Sequence, residues 1–432
     1  MMMKKMESLE SAAAQQGEEK PAFHGRRMVG IAFLSNILAS TITLATFGNF
    51  VDPVSEAFGT TRSTISQGMA IAFVVIGLTG PFSGVLLDRG WARSMMVVGS
   101  LMAGTGLIFL SQAQELWQAG LLFCGVVGLG AALFGIMPAM ALVSHWFVKQ
   151  RGLAIGISAA GLTIAGGVAP AAAEFLIELY GWRTALMIFG VGTIAIGVPV
   201  FGGLVIGRPE SIGQRPDGES ISFEDGERPD AGAESAVLDM GEIARDSRLW
   251  IVSIGFGLIL TSPLVLSPIV VPYGTDLGLT AKQASAFFFA MMPFSLLGKV
   301  VIGRLADVAP IKPAMAVVVL GNSAVWLLFS LEPGFYLFLA TGALYGIGIG
   351  GVSPLQGVTI GRIFGRENFG RASGLGGLVG IAVIASAMVL FQSLYGSTGD
   401  YQVGFFVQSA LILLGGGLIA LVRIPKAEGA GA

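Results

Sequence analysis

The sequence predicts an all-α membrane protein with twelve transmembrane helices arranged as two six-helix halves. Three observations lead there. The chain is 53% hydrophobic and only 12% charged over 432 residues, with a mean hydropathy of +0.77, where a soluble domain carries about 25% charged residues. Its apolar runs are long enough to span hydrocarbon, which takes about 20 residues per helix. Two of these runs end in related charged stretches 219 residues apart, G-V-L-L-D-R-G-W-A-R at Gly84 to Arg93 and G-R-L-A-D at Gly303 to Asp307. Charge is expensive inside hydrocarbon, so each stretch marks a helix leaving the bilayer.

In chain order, the length criterion gives spans at 28–51, 64–87, 94–113, 117–144, 151–177, 183–206, 249–273, 283–306, 313–331, 335–361, 369–394 and 403–423. Turn formers separate them at Asp52-Pro53, Arg89-Gly90, Gly181-Trp182, Glu332-Pro333-Gly334 and Gly396-Ser397. The expected organisation is a tail at 1–27, a first half at 28–207, a linker at 208–248, a second half at 249–423 and a tail at 424–432. With both termini cytoplasmic, 21 of the 25 Lys and Arg residues fall on the cytoplasmic side, as positive-inside bias requires. The first 27 residues are charged and lack the apolar core of a secretory signal. The expected location is a cell membrane, read as a bacterial inner membrane.

The 64 glycines suit close helix packing in lipid. The net charge of -2 gives no basic surface for nucleic acid. One cysteine, Cys124, excludes an intrachain disulfide, and two histidines, His24 and His145, are too few for an imidazole metal site. There is no phosphate-binding loop and no catalytic triad, so neither enzymatic activity nor a cofactor is expected. The linker, Arg208 to Arg248, carries eleven of the 27 acids among Gly, Ser and Pro. It reads as a solvated tether, with regulatory docking as the other reading.

The repeat extends further. Phe147 to Gly156 is echoed by Phe364 to Gly376, and Arg151 and Arg371 stand 220 apart. Parallel six-span repeats related by an axis along the membrane normal are a transporter plan, with the substrate site between the halves.

These residues resemble the major facilitator superfamily. Its hallmark loop after the second span is Gly-x-x-x-Asp-Arg-x-Gly-x-Arg. Gly84, Asp88, Arg89 and Arg93 are in register, and the inner glycine stands one place early at Gly90. W-F-V-K-Q-R-G-L-A-I-G-I-S-A-A-G, Trp146 to Gly161, is similar to the fifth-span signature of monocarboxylate transporters and of bacterial oxalate/formate antiporters. The resemblance covers residues 28–423. It implies a secondary carrier working by alternating access, with Asp88, Arg89, Arg93, Arg151, Asp307 and Arg371 forming a cytoplasmic gate; topology marking by positive charge is the other role open to these residues. It also implies that an eighth-span cation receives the substrate carboxylate, and Lys299 matches that position, four residues before Gly303. The chain departs from animal monocarboxylate carriers in having no charge in its first span and Ser295 one turn before the cation. No second cation follows in the eleventh span, since no base stands between Arg371 and Arg423, and one cation suits a monoanion.

Lys299 is the one charge set well inside a span; it either meets substrate or snorkels towards the cytoplasmic face. Asn36, Ser40 and Thr43 share one face of the first span and either line the cavity or bond to neighbouring helices, as do Tyr345 and Gln392. Phe287, Phe288 and Phe289 either shape an apolar cavity wall or pack in the core and against lipid. No acid lies deep in a span, Glu174 and Glu178 being near the outer end of the fifth, so a coupled proton would travel with Lys299 and its anion. The expected function is transport of a small organic monocarboxylate, with protons as the possible co-substrate and the lipid bilayer as surroundings. The alternative is a carrier of the same fold that exports a neutral or apolar compound. A receptor that binds without transport would have no use for a gate in each half.

Overall fold

The computed structural model describes residues 23–218 and 237–425. Among these residues eleven helices are long and apolar enough to cross a membrane. We label them α1 (Gly25–Ala57), α2 (Arg62–Asp88), α3 (Ala92–Leu110), α4 (Leu116–Trp146), α5 and α6 (Arg151–Leu204), α7 (Ser247–Asp276), α8 (Ala281–Val308), α9 (Ile311–Phe329), α10 (Phe335–Phe364), α11 (Phe369–Thr398) and α12 (Gln402–Leu421). The 54-residue helix counts as two spans, because Gly181 adopts φ 77° and ψ 159° and divides it into α5 (151–180) and α6 (182–204). The twelve-helix architecture is therefore present. The first span runs six residues beyond its expected end. Asp52-Pro53 does not stop α1; Gly59 does, at φ 61°, where its N–H bonds to the Glu56 carbonyl and Thr60 N–H to that of Ser55.

The halves repeat at an offset of 219 down to single hydrogen bonds. The turn after α1 recurs after α7, where Leu277, Gly278 and Leu279 bond to Tyr273, Thr275 and Gly274. Thr61 caps α2 by accepting from Thr64 N–H, and Thr280 caps α8 by accepting from Gln283 N–H, each at 3.2 Å. Gly104 meets Gly190 where α3 crosses α6, and Ser323 meets Ser409 where α9 crosses α12.

Two apolar cores are present, the first including Trp146, Phe134 and Phe201 and reaching Phe364 and Phe369 of the second half, the second including Trp326, Phe329 and Phe405. Between the halves, α2 packs on α11 and α5 on α8. Apolar burial cannot drive helix association in lipid, so these seams rely on close backbone approach. A Cβ at Gly84 would collide with the Gly370 carbonyl, and one at Gly156 with that of Lys299. Two helices depart from α geometry, α1 by a π turn at Thr41–Ala45 and α4 by one at Leu121–Val127.

The expected tails lie largely outside the described residues, as does 219–236 of the linker. The described parts of the linker pack on the bundle. Asp217 accepts from Val148, Lys149 and Gln150 N–H, Arg208 reaches Glu367 at 2.7 Å, Glu210 reaches Arg366 at 2.6 Å, and Leu238 N–H bonds to Asn368.

Candidate functional site

Two carboxylates tie the halves together at one end of the bundle. Asp88, the last residue of α2, accepts from Gly370 N–H at 2.8 Å and Arg371 N–H at 2.9 Å, at the start of α11. Asp307, near the end of α8, accepts from Gly152 N–H at 2.6 Å and Leu153 N–H at 2.9 Å, at the start of α5. Each carboxylate thus crosses to the other half and satisfies N–H groups that a helix start leaves orphaned, where the helix dipole favours negative charge. Each carboxylate therefore latches one half to the other through two charge-assisted hydrogen bonds.

The other expected gate residues divide. Arg371 lies with its Nε 3.8 Å from Asp88, and the buried Arg151 donates to the Phe147 carbonyl and packs on Gly361 of α10. Arg89 and Arg93 are exposed, and their side chains make no hydrogen bond or ion pair among the described residues. Arg208, Arg366 and Glu367 join the network unforeseen. Arg208 donates to the backbone carbonyl of Asp88 as well as to Glu367. The run from Arg362 to Arg371 held a local signal in its density of charge; Arg208, after a different span, held none.

Lys299 sits on α8 where it faces α5, 7% exposed. Its ammonium donates to Thr163 of α5 at 2.7 Å and to Ser295, one turn back on α8, at 3.1 Å. The side chain therefore bridges the halves and does not extend towards Asp307. Among the described residues no carboxylate pairs with it. An ammonium has three N–H donors, and two are used. Burial of that charge among hydroxyls alone is costly, and an anion accepting the third donor would compensate it. Thr163 was missed in the sequence reading because its partner is 136 residues away; the only signal was a hydroxyl in a span otherwise rich in Ala and Gly.

Asn36 lies against the other side of α5. Its Nδ2 donates to the Ser158 carbonyl at 2.9 Å, and its fully buried Oδ1 has no hydrogen-bond partner. Ser40 is buried one turn further along α1. Thr43 instead bonds to the Ala39 carbonyl and lines a separate cavity within the first half. Tyr345 is in the aromatic core of the second half, its hydroxyl accepting from Ser262. Gln392 is exposed on α11. Phe287 is fully buried, and Phe289 is 80% exposed. The structure brings Asn36 and Lys299 to the two flanks of one stretch of α5, residues 158–163, and leaves Thr43, Tyr345 and Gln392 elsewhere.

Comparison with known proteins agrees with this fold. A family model described as Major Facilitator Superfamily matches residues 29–321 and 264–431. Monocarboxylate transporter 2 of Rattus norvegicus is 27% identical over 389 residues, covering 86% of this chain and 78% of its own. Monocarboxylate transporter 1 of Mus musculus is 24% identical over 394 residues, covering 85% and 78%. Among solved structures, a double-Trp mutant of XylE superposes with a TM-score of 0.71 at 13% identity, covering 94% of this chain and 97% of that one. The human organic anion transporter MFSD10 (TETRAN) superposes with a TM-score of 0.66 at 17% identity, covering 91% and 99%. The family and these relatives are transporters rather than enzymes, and this multi-pass membrane protein belongs to the major facilitator superfamily.

Proposed function

We propose that the protein carries a small organic monocarboxylate across a cell membrane by alternating access, with Lys299 as the counter-ion. The observation that carries this reading is the Lys299 ammonium, buried between α5 and α8 and held by the Thr163 and Ser295 hydroxyls, with one donor left over. The names of the relatives, monocarboxylate and organic anion transporters, point to the same class of cargo. A single cation matches a single carboxylate, and a dianion would keep one charge unpaired in low dielectric.

In this reading the Asp88 and Asp307 latches face the cytoplasm, where 21 of the 25 basic residues lie, and both termini are on that side. With both latches made, the cytoplasmic side is shut. Arrival of the anion reorganises the contact of Lys299 across α5 and α8, the latches release, and the halves rock. A proton accompanies the anion on the lysine, since no acid in the membrane interior is at hand to carry it.

The test is uptake of labelled lactate and pyruvate into proteoliposomes under an inward proton gradient. Wild-type protein should accumulate the anion. Lys299→Gln removes a buried charge partner, which typically costs about 2–5 kcal/mol, so transport efficiency should fall at least ~30-fold. Equal uptake by both proteins would remove Lys299 from the site. No uptake by either, in folded protein, would favour the neutral-compound exporter. Wild-type uptake indifferent to the gradient would remove the proton.

A further inference from the structure

The first half contains a cavity of about 580 Å³ that the carboxylate site does not use. It opens at the end of the bundle opposite the Asp88 and Asp307 latches, between the adjoining ends of α1, α2, α3, α4 and α6. Among the described residues none of the second half lines it, Lys299 included. Along α1 it begins near Thr43, about 10 Å from Asn36 at 1.5 Å per residue. Its size falls within the usual range for small-molecule sites.

Three independent features describe what the space accepts. First, both π turns of the described structure, Thr41–Ala45 and Leu121–Val127, contribute to its wall. Such turns occur frequently at functional sites, and irregular backbone is tolerated at membrane depth where it lines a cavity. Second, none of the lining residues is charged; polar groups are confined to a few side chains such as Thr43, Thr46, Thr64 and Gln67. An ion would enter without a counter-charge, so an uncharged ligand is the complementary one.

Third, the internal repeat shows which shape fills this space. Val54, Gly68, Leu107, Leu110 and Leu186 line the cavity. At the 219-residue offset they correspond to Tyr273, Phe287, Trp326, Phe329 and Phe405. All five counterparts are aromatic, and they contact one another: Tyr273 with Phe329 at 5.4 Å, Phe287 with Phe329 at 5.9 Å, Trp326 with Phe405 at 5.8 Å and Phe329 with Phe405 at 5.7 Å between ring centroids. Where the second half supplies rings from its own side chains, the first half supplies small and aliphatic residues. The first half places rings of its own elsewhere in the wall, Phe47 with Phe123 at 5.4 Å and Phe50 with Phe189 at 6.4 Å, at positions where the second half has Leu266, Gly342, Ile269 and Gln408.

We infer that this cavity is a binding site for an uncharged aromatic small molecule, separate from the Lys299 site. The ligand's rings take the place that aromatic side chains hold in the second half, stacking on and meeting edge-to-face the rings of α1, α4 and α6. A ligand there braces the π turns of α1 and α4 against each other. Binding there is independent of which compound the carrier transports.

The test uses the full chain in lipid nanodiscs, with tritiated naphthalene as the probe and protein-free nanodiscs as the background for partitioning. Wild-type protein should show a saturable component, unchanged by Lys299→Gln and displaced at least ten-fold more effectively by unlabelled naphthalene than by cyclohexane. Leu107→Trp puts the counterpart ring into the cavity and should weaken binding at least ten-fold. Should that variant fail to fold, Leu110→Phe and Leu186→Phe apply the same filling with smaller side chains. Absence of a saturable component overturns the inference, as does binding that survives these fillings in folded protein. Binding lost in Lys299→Gln assigns the ligand to the other site, and equal displacement by cyclohexane removes the aromatic class; either result overturns it.

Discussion

The two halves share a backbone plan and differ in what fills it. In the second half Trp326, Phe329, Phe338 and Phe405 close around Tyr273, with ring centroids as near as 4.9 Å. In the first half the equivalent space holds Leu107, Leu110 and Leu186 beside an open cavity, and the helices around it carry both π turns. Duplication sets the helix order, the caps and the crossing points. It leaves side-chain volume free to diverge, so one half is a packed body and the other retains space at one end. The comparison suggests a division of labour in which the second half serves as the stiffer partner about which the first adjusts.

The most severe way to break that comparison is to remove a ring from the packed half. Trp326→Ala deletes a fully buried side chain from close-packed neighbours, and large-to-small changes of this kind cost about 3–5 kcal/mol. Leu107→Ala, its counterpart, enlarges a space that already exists and loses fewer contacts, so it should cost less than half as much. Thermal inactivation of the two variants in the same detergent measures the difference. Equal losses would mean that the first half is as rigidly packed as the second, and the division of labour would fail.

The latches offer a sharper comparison, because there the halves behave alike. Asp88→Asn and Asp307→Asn each keep the shape of the side chain while weakening two charge-assisted bonds, and a hydrogen bond to a charged group is worth about 1.5–3 kcal/mol. The two carboxylates share none of these N–H partners, so the double variant should show additive opening. The readout is solvent accessibility of the latch end, by alkylation of a cysteine introduced at the buried Ser83 of α2 in a background lacking Cys124. Accessibility should rise with each substitution and most in the double variant. A full effect from Asp88→Asn alone, with nothing added by Asp307→Asn, would show one working latch.

Much of the fold was legible because the bilayer imposes a length on every helix, and twelve apolar runs satisfied it. Lys299 was legible for a related reason: a charge in hydrocarbon demands an explanation. The misplaced end of α1 shows where local rules compete. Asp52-Pro53 is a turn signal, yet the stop came at Gly59, because the αL position belongs to glycine and the proline lies within the helix. Partners distant in sequence were hidden. Thr163 and Lys299 meet only through the packing of α5 on α8, and Thr43 and Gln392 were placed by residue type on helices whose facing sides no single span reveals. The cavity was written as five exchanges of a glycine or an aliphatic residue for an aromatic one at one spacing, which acquires meaning only once the repeat is known to hold in space.

The smallest difference between the halves lies where each begins. Helix α1 starts without a side-chain cap at His24, whereas α7 is capped by Asp246, which accepts from Arg248 N–H at 2.8 Å and from its guanidinium at 2.6 Å. The Arg248 hydrogen bond holds the Asp246 carboxyl below its usual range. A depressed pKa means that the folded protein holds the ionised form more tightly than the unfolded chain does. The gain is therefore fully present above the ordinary carboxylate pKa of about 3.9 and is lost as pH falls through the lowered value. Arg248 is 46% exposed, so solvent screens the pair and its contribution is about 0.2–1 kcal/mol. Asp246→Asn keeps a competent cap and removes only the charge. Its deficit in thermal midpoint should be measurable at pH 6 and shrink as the buffer is taken towards pH 3. A deficit constant with pH would assign the effect to the cap itself, and the second half would then owe its firmer start to geometry and not to charge.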